Sequence, residues 1–269
     1  MKVVYFGAPK SLVTFVLSIL VLVVAVGVIA YTAGAKLVTA VVGKRIIPIY
    51  EVPTTEKKVA LTFDISWGHV TAPPVLDILK REKVRSTFFL SGPWTQNHSD
   101  IARRITEDGH EIASHGWRHI NYTSIRPHEI QQEVGKAEEA IRTVTGKTTK
   151  MIRTPNGDYD SAVVTTLRGM GYEVIQWSTD SLDWMNPGVG NIVGRVLRLA
   201  HPGDIILMHA SDSCKQTVEA LPAVIAGLRE KGFELVTVSE LLTLGEPRRE
   251  IPTLRFQPLA AQPSRDEGF

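Results

Sequence analysis

Residues Val59–Trp67 read VALTFDISW. The run from Val59 to Phe63 is short, apolar and partly β-branched, as suits a strand buried on both faces. It carries Asp64 to the strand's end, where a carboxylate is exposed yet shaped by its neighbours. A charged group in that place asks for a chemical role.

The pattern recurs along the chain. Further strand candidates lie at Thr87–Leu90, Glu111–Ser114, Met151–Arg153, Glu173–Trp177, Asp204–Met208 and Glu234–Val236. Helix candidates alternate with them at Ala72–Glu82, Ser99–Asp108, Pro127–Thr145, Ser161–Met170, Ile192–Ala200, Thr217–Lys231 and Ser239–Leu244. A glycine stands just past four of these helices, as Gly109, Gly146, Gly171 and Gly232, and Pro127 suits a first helical turn. Strict alternation of strand and helix indicates an α/β fold with a parallel sheet, which doubly wound and barrel arrangements both satisfy. In either, functional groups gather at the carboxyl ends of the strands. The polar residues following the strands are Asp64, then His115 and His119, Arg153, Asp180 and Asp183, and His209. If the sheet closes, they converge on one rim.

Composition narrows the partners. The chain has 269 residues, enough for one sizeable core, and 30 Lys and Arg against 28 Asp and Glu. That balance gives no field for a polyanion, so nucleic acid is not an expected partner. A single cysteine, Cys214, excludes an intrachain disulfide framework and a multi-cysteine metal site, and is read as structural. No internal repeat is evident.

Near the amino terminus, Leu12–Thr32 is apolar, and no charge occurs between Lys10 and Lys36. At about 1.5 Å rise per residue this crosses a hydrocarbon core of about 30 Å. It exceeds the apolar region of about 7 to 15 residues in an export signal, so an uncleaved anchor is expected. Ala33-Gly34-Ala35 nevertheless offers a cleavage-like pattern. Lysines and arginines flank the span on both sides, leaving the positive-inside bias nearly balanced.

His115 and His119, in SHGWRH, stand four residues apart, a spacing that lets two imidazoles share a metal. Neutral imidazole suits a Zn²⁺, Co²⁺ or Ni²⁺ type of ion rather than Mg²⁺ or Ca²⁺. Such an ion would ionise a water that Asp64 could deprotonate. His209 could donate a proton to a leaving group if Asp180 or Asp183 held it cationic. Arg153 would serve as counter-ion to Asp64. Trp184 could wall a small apolar pocket, with Leu207 nearby in the set, and Trp94 and Trp117 could stack on sugar faces.

The motifs TFDISWG, SHGWRH, RTPNGDY, WSTDSLDW and LMH, in that order, resemble those of the polysaccharide deacetylases, the NodB-homology domain of carbohydrate esterase family four. With the anchor, RIIPIY and HASDSCKQT, the chain looks most like a sporulation-associated, membrane-anchored branch. The resemblance implies a distorted (β/α) barrel of seven or eight units that removes acetyl groups from amino sugars of peptidoglycan or chitin-like glycan. By position, it implies Asp64 as base, His209 as acid, Asp183 as its orienting partner and Arg153 as partner of the base. It further implies His115 and His119 as metal ligands, and Leu207 with Trp184 as the acetyl pocket.

Two positions depart from that pattern. Where the family carries a second acid, the third metal ligand, this chain has Ile65, leaving His69 or Asp64 itself as substitutes. Where the third motif usually has an aromatic residue, it has Asn156, whose backbone N–H can still serve an oxyanion. The expected layout is an anchor over 1–35, a connector over 36–56, the deacetylase domain over 57–245 and a tail over 246–269. The expected location is the cell membrane, single-pass, with the domain extracytoplasmic.

Overall fold

The computed structural model describes residues 19–28 and 45–251. Residues 19–28 are helical with exposed side chains, and no helix among the described residues is long and apolar enough to cross a membrane. The rest of the expected anchor, Leu12–Thr32, lies outside the described residues, as do most of the tail and the first part of the connector.

Within the compact unit Ile46–Glu250, the expected alternation of strand and helix holds except at two places, where two helices (Gly92–Asn97 and Ser99–Glu107) and two short strands (Glu173–Val174 and Thr179–Asp180) follow one another directly. Strand β1 (Lys58–Ile65) is followed by α1 (Ala72–Glu82), β2 (Thr87–Leu90), α2 (Gly92–Asn97), α3 (Ser99–Glu107), β3 (Glu111–Ser114) and α4 (Pro127–Thr145). Then come β4 (Met151–Ile152), α5 (Ser161–Gly169), β5 (Glu173–Val174), β6 (Thr179–Asp180), α6 (Val189–Leu199), β7 (Ile205–His209), α7 (Thr217–Glu230), β8 (Glu234–Val236) and α8 (Val238–Leu242). The eight-stranded sheet runs β5-β4-β3-β2-β1-β7-β6, with β8 also paired to β1, and every pair is parallel.

Strand periodicity sorts β1 into two faces. Val59, Leu61, Phe63 and Ile65 join the large core cluster with residues of α1 and α7, such as Leu76, Leu79, Leu221 and Ile225. Ala60 instead joins a second cluster with Phe89, Ala113, Ile175 and Ile205. Thr62 and Asp64 share the face of Ala60, so the carboxylate looks inward.

The expected barrel is a curled sheet rather than a ring closed by its own ladder. The strand expected over Glu173–Trp177 breaks after Val174, because the next backbone groups are already engaged. Gln176 N–H donates to the Ile49 carbonyl at 2.7 Å, and its own carbonyl accepts from the Arg153 guanidinium at 3.0 Å. Chain resumes pairing only at β6, on the far edge. Ahead of β1, Ile49 and Glu51 form single bridges to Ile175, just past β5, and to Asp204, just before β7.

Candidate active site

Parallel pairing brings the functional residues level. Asp64 stands in register with His209 of β7 and Phe89 of β2, and Ser114 with Ile152, so the ends of β1, β3, β4 and β7 share one rim.

Arg153, fully buried at the end of β4, spans the inside of the curl. One guanidinium nitrogen donates to Asp64 Oδ1 at 2.7 Å and to Thr62 Oγ1 at 3.0 Å, and the other to the Gln176 carbonyl. Its plane lies over Phe89, 4.0 Å from the ring centroid. Burial alone would raise the Asp64 pKa, but Arg153, His115 and His209 outweigh it and hold the carboxyl below its ordinary value. Asp64 is therefore ionised and fixed in one rotamer, with Oδ2 left facing the imidazoles.

His115 places Nε2 at 3.7 Å from that oxygen, while its Nδ1 meets the Arg153 carbonyl at 2.9 Å. A backbone carbonyl only accepts, so Nδ1 carries the proton and the Nε2 lone pair is free. Burial pushes the His115 imidazolium down to about 4, so the ring is neutral. His119, also held neutral by burial, packs beside it with centroids 5.3 Å apart. The loop between them turns at Gly116, whose φ of +73° and contact with the Tyr122 hydroxyl leave no room for a Cβ.

Across the rim, Asp183 is fully buried and grips His209 twice. Its Oδ1 accepts from Nδ1 at 2.7 Å and its Oδ2 from the His209 backbone N–H at 2.8 Å, with Thr217 Oγ1 donating to the same oxygen. Burial disfavours the imidazolium, yet Asp183, Asp64 and Asp180 outweigh it and raise the His209 pKa. The residue before Asp183, Leu182, sits in the left-handed region at φ +58°, a strained conformation retained where it aims a functional side chain. Of the two acids considered as partner of His209, the hydrogen bonds go to Asp183; Asp180 receives the Leu182 N–H instead.

Other expected residues fall in varied places. Leu207 is buried on β7, while Trp184 is 43 % exposed just past Asp183. Asn156 is left-handed at φ +59° and bonds Asn121 through its side chain. Trp94 is only 2 % exposed, so the expected stacking on sugar is corrected: it is a core residue donating to the Gly68 carbonyl. Trp117 packs over the backbone of Gly92. His69, considered as a substitute ligand, is exposed and its ring stacks on His98. Ile65 is fully buried in the layer between sheet and helices, on the opposite face of β1 from Asp64.

The donor set fits a divalent ion in part. His115 Nε2, His119 and Asp64 Oδ2 offer two neutral nitrogens and one carboxylate oxygen, but Ile65 adds nothing. Among the described residues, ligand atoms draw within 4.8 Å of one another at Asp183, His209 and Cys214 instead. An ion there would have to displace the His209–Asp183 hydrogen bond and a thiol proton held by burial, which pushes Cys214 up to about 12. Sequence reading passed over Asp212 and Trp67, which shape the rim; HASDSC and SWG carried them without a recognisable spacing.

A fixed anionic base on one side of a rim, and a histidine poised to carry a proton on the other, are the equipment of an acid–base hydrolase. Comparison with known proteins agrees. Residues 51–175 match the family model described as polysaccharide deacetylase. A peptidoglycan-N-acetylglucosamine deacetylase of Bacillus cereus is 34% identical over 196 residues, covering 72% of this chain and 92% of that protein. An uncharacterized protein of Bacillus subtilis, YlxY, is 33% identical over 195 residues, and the chain spans 60% of its length. The structure of BA3943, a CE4 family pseudoenzyme from Bacillus anthracis, superposes with a TM-score of 0.69 at 33% identity, covering 73% of this chain and 69% of that one. A mutant of BA3943 described as having restored enzymatic activity has the same TM-score, covering 73% of this chain and 71% of that one. The chain belongs to the polysaccharide deacetylase family; the family's deacetylases act on amide bonds of N-acetylated sugars and are metal-dependent, and the family also includes pseudoenzymes.

Proposed function

We propose that this chain removes N-acetyl groups from the amino sugars of peptidoglycan or a chitin-like glycan. The observation that carries the reading is the pair of buried dyads, Asp64–Arg153 and His209–Asp183, facing each other at register-matched strand ends. A divalent ion held by His115 and His119, of Zn²⁺, Co²⁺ or Ni²⁺ type, would supply an ionised water and a polarised acetyl carbonyl. Asp64 takes the proton of the attacking water, while Arg153 keeps the carboxylate anionic and oriented. His209, its Nδ1 proton bound to Asp183, delivers a proton from Nε2 to the amine nitrogen that leaves. Leu207 and Trp184 face the acetyl methyl, and Asn156 N–H stands for the oxyanion.

Mass spectrometry of N-acetylglucosamine oligomers after incubation with enzyme and Zn²⁺ or Co²⁺ tests the reading. Deacetylated products are expected; oligomers that bind and emerge unchanged with every metal oppose it.

A second reading, a glycan-binding protein with little or no turnover, is favoured by Ile65, which removes one ligand. The pseudoenzyme relative supports it as well. Wild-type protein holding one metal tightly would exclude it.

The reading extends to location. We propose that the apolar span Leu12–Thr32 anchors the protein as a single-pass membrane protein, and that its domain is extracytoplasmic, where a cell-wall or spore-wall glycan would be met. Recovery of the full chain in the membrane fraction, resistant to carbonate extraction, is the expected outcome.

A further inference from the structure

Trp67 has no part in the chemistry above, yet it is 46 % exposed at the mouth of the site. An exposed indole on a loop offers apolar surface that a ligand face gains free energy by covering. Its ring stands nearly perpendicular to His119, with centroids 5.3 Å apart, so whatever covers it lies against the reacting centre.

The loop that presents Trp67 is held by a clasp. The single carboxylate of Asp212, in the loop after β7, accepts the backbone N–H groups of His69, Val70 and Thr71 at 3.0, 2.9 and 2.9 Å. These bonds hold the carboxyl below its ordinary value against partial burial. Gly68 lets the two loops meet: at φ +81°, any Cβ would fall 2.1 Å from Asp212 Cγ. Trp67 Nε1 donates to Ser213 Oγ at 3.2 Å, which fixes the indole's rotation. Asn186 ties the loop of Trp184 to the same segment by donating to the Ser213 carbonyl and accepting from Lys215 N–H. Three loops are thus locked together, with two exposed indoles, Trp67 and Trp184, on one rim.

We infer that Trp67 is a carbohydrate-stacking platform, taking the pyranose ring next to the one whose acetamido group reaches Asp64 and His209, and that Asp212 is its positioning residue. The inference rests on the glycan reading above. The apolar face of a pyranose covers the indole, and a preformed loop spares the ordering cost of binding. Affinity must then grow with chain length, since a monosaccharide fills the reacting position alone.

Calorimetric titration of wild-type protein with N-acetylglucosamine and with its tri- and pentasaccharide tests this. Trp67→Ala should weaken the longer oligomers by about tenfold and flatten the dependence on length. Trp67→Phe should restore most of it, and Asp212→Asn should flatten it partly by releasing the loop. Unaltered length dependence in Trp67→Ala, or Asp212→Asn indistinguishable from wild type, overturns the inference. Acetate release from the same oligomers reports separately on the deacetylase reading. Length-dependent binding through Trp67 without acetate leaves the platform standing and sinks the activity; acetate release with the same length dependence in Trp67→Ala does the reverse.

Discussion

At the scale of single residues, the site is two charged pairs that need each other's burial. Arg153 has no exposed surface and anchors Asp64, Thr62 and Gln176 at once. Removing one partner of a buried ion pair strands the other, so Arg153→Met should cost about 3–5 kcal/mol in urea unfolding. His209→Ala should lower kcat by about 10²- to 10⁴-fold, the range for a positioned proton donor, while glycan affinity by calorimetry holds. Asp183→Asn tests how the acid is held. The His209 pKa is raised in the fold above its ordinary 6.5, so its contribution to stability is present below about pH 6.5 and is lost as pH rises through the folded value. The variant should lose that slope, and the alkaline limb of its rate profile should move to lower pH. Read from the residues alone, Asp180 and Asp183 are equal candidates for the partner of His209, and only the family resemblance points to Asp183. Leu182 in a left-handed turn separates them, and no spacing rule foretells that.

At the scale of elements, most of the fold was legible because its signals are local. The longer strands, such as β1 and β7, carry apolar runs, and the four glycines expected past helices all adopt left-handed φ, between +69° and +83°. Gly146 ends α4 with open space around its Cα, so Gly146→Ala meets conformational strain alone and should cost about 1 kcal/mol in urea unfolding. Strand β1 shows where reading by motif needs the backbone beside it. Alternation turns Asp64 inward and Ile65 into the apolar layer, so Ile65 is a core residue as well as a missing ligand. Ile65→Asp without metal should therefore lose about 3 kcal/mol or more of stability to a buried charge, measurable by urea. Regain on adding Zn²⁺ would show that the strand end can turn to coordinate. What stayed illegible is non-local: the break after Val174 depends on Ile49 and Arg153, more than twenty residues away, and the clasp on Asp212 joins loops over a hundred residues apart. Short helix α2, with buried Trp94, is absent from the helix candidates because its six residues are too few to show a helical period.

At the scale of the molecule, a curled parallel sheet converts chain order into a rim. Five strands each contribute one element of the site, so the motif order in the sequence becomes a ring of side chains in space. That is why the candidate base, acid and imidazoles, and Trp184, could be named from sequence, while their distances and the exposed indole of Trp67 could not. The fold has kept the costly parts of an acid–base site, two buried dyads and a neutral histidine with a free Nε2, which a bare binding surface does not require. Acetate release from N-acetylglucosamine oligomers, measured on wild-type protein with EDTA and with added Zn²⁺ or Co²⁺, tests this most directly. Metal-stimulated release is the expected result; bound oligomers with no acetate under any metal would contradict it.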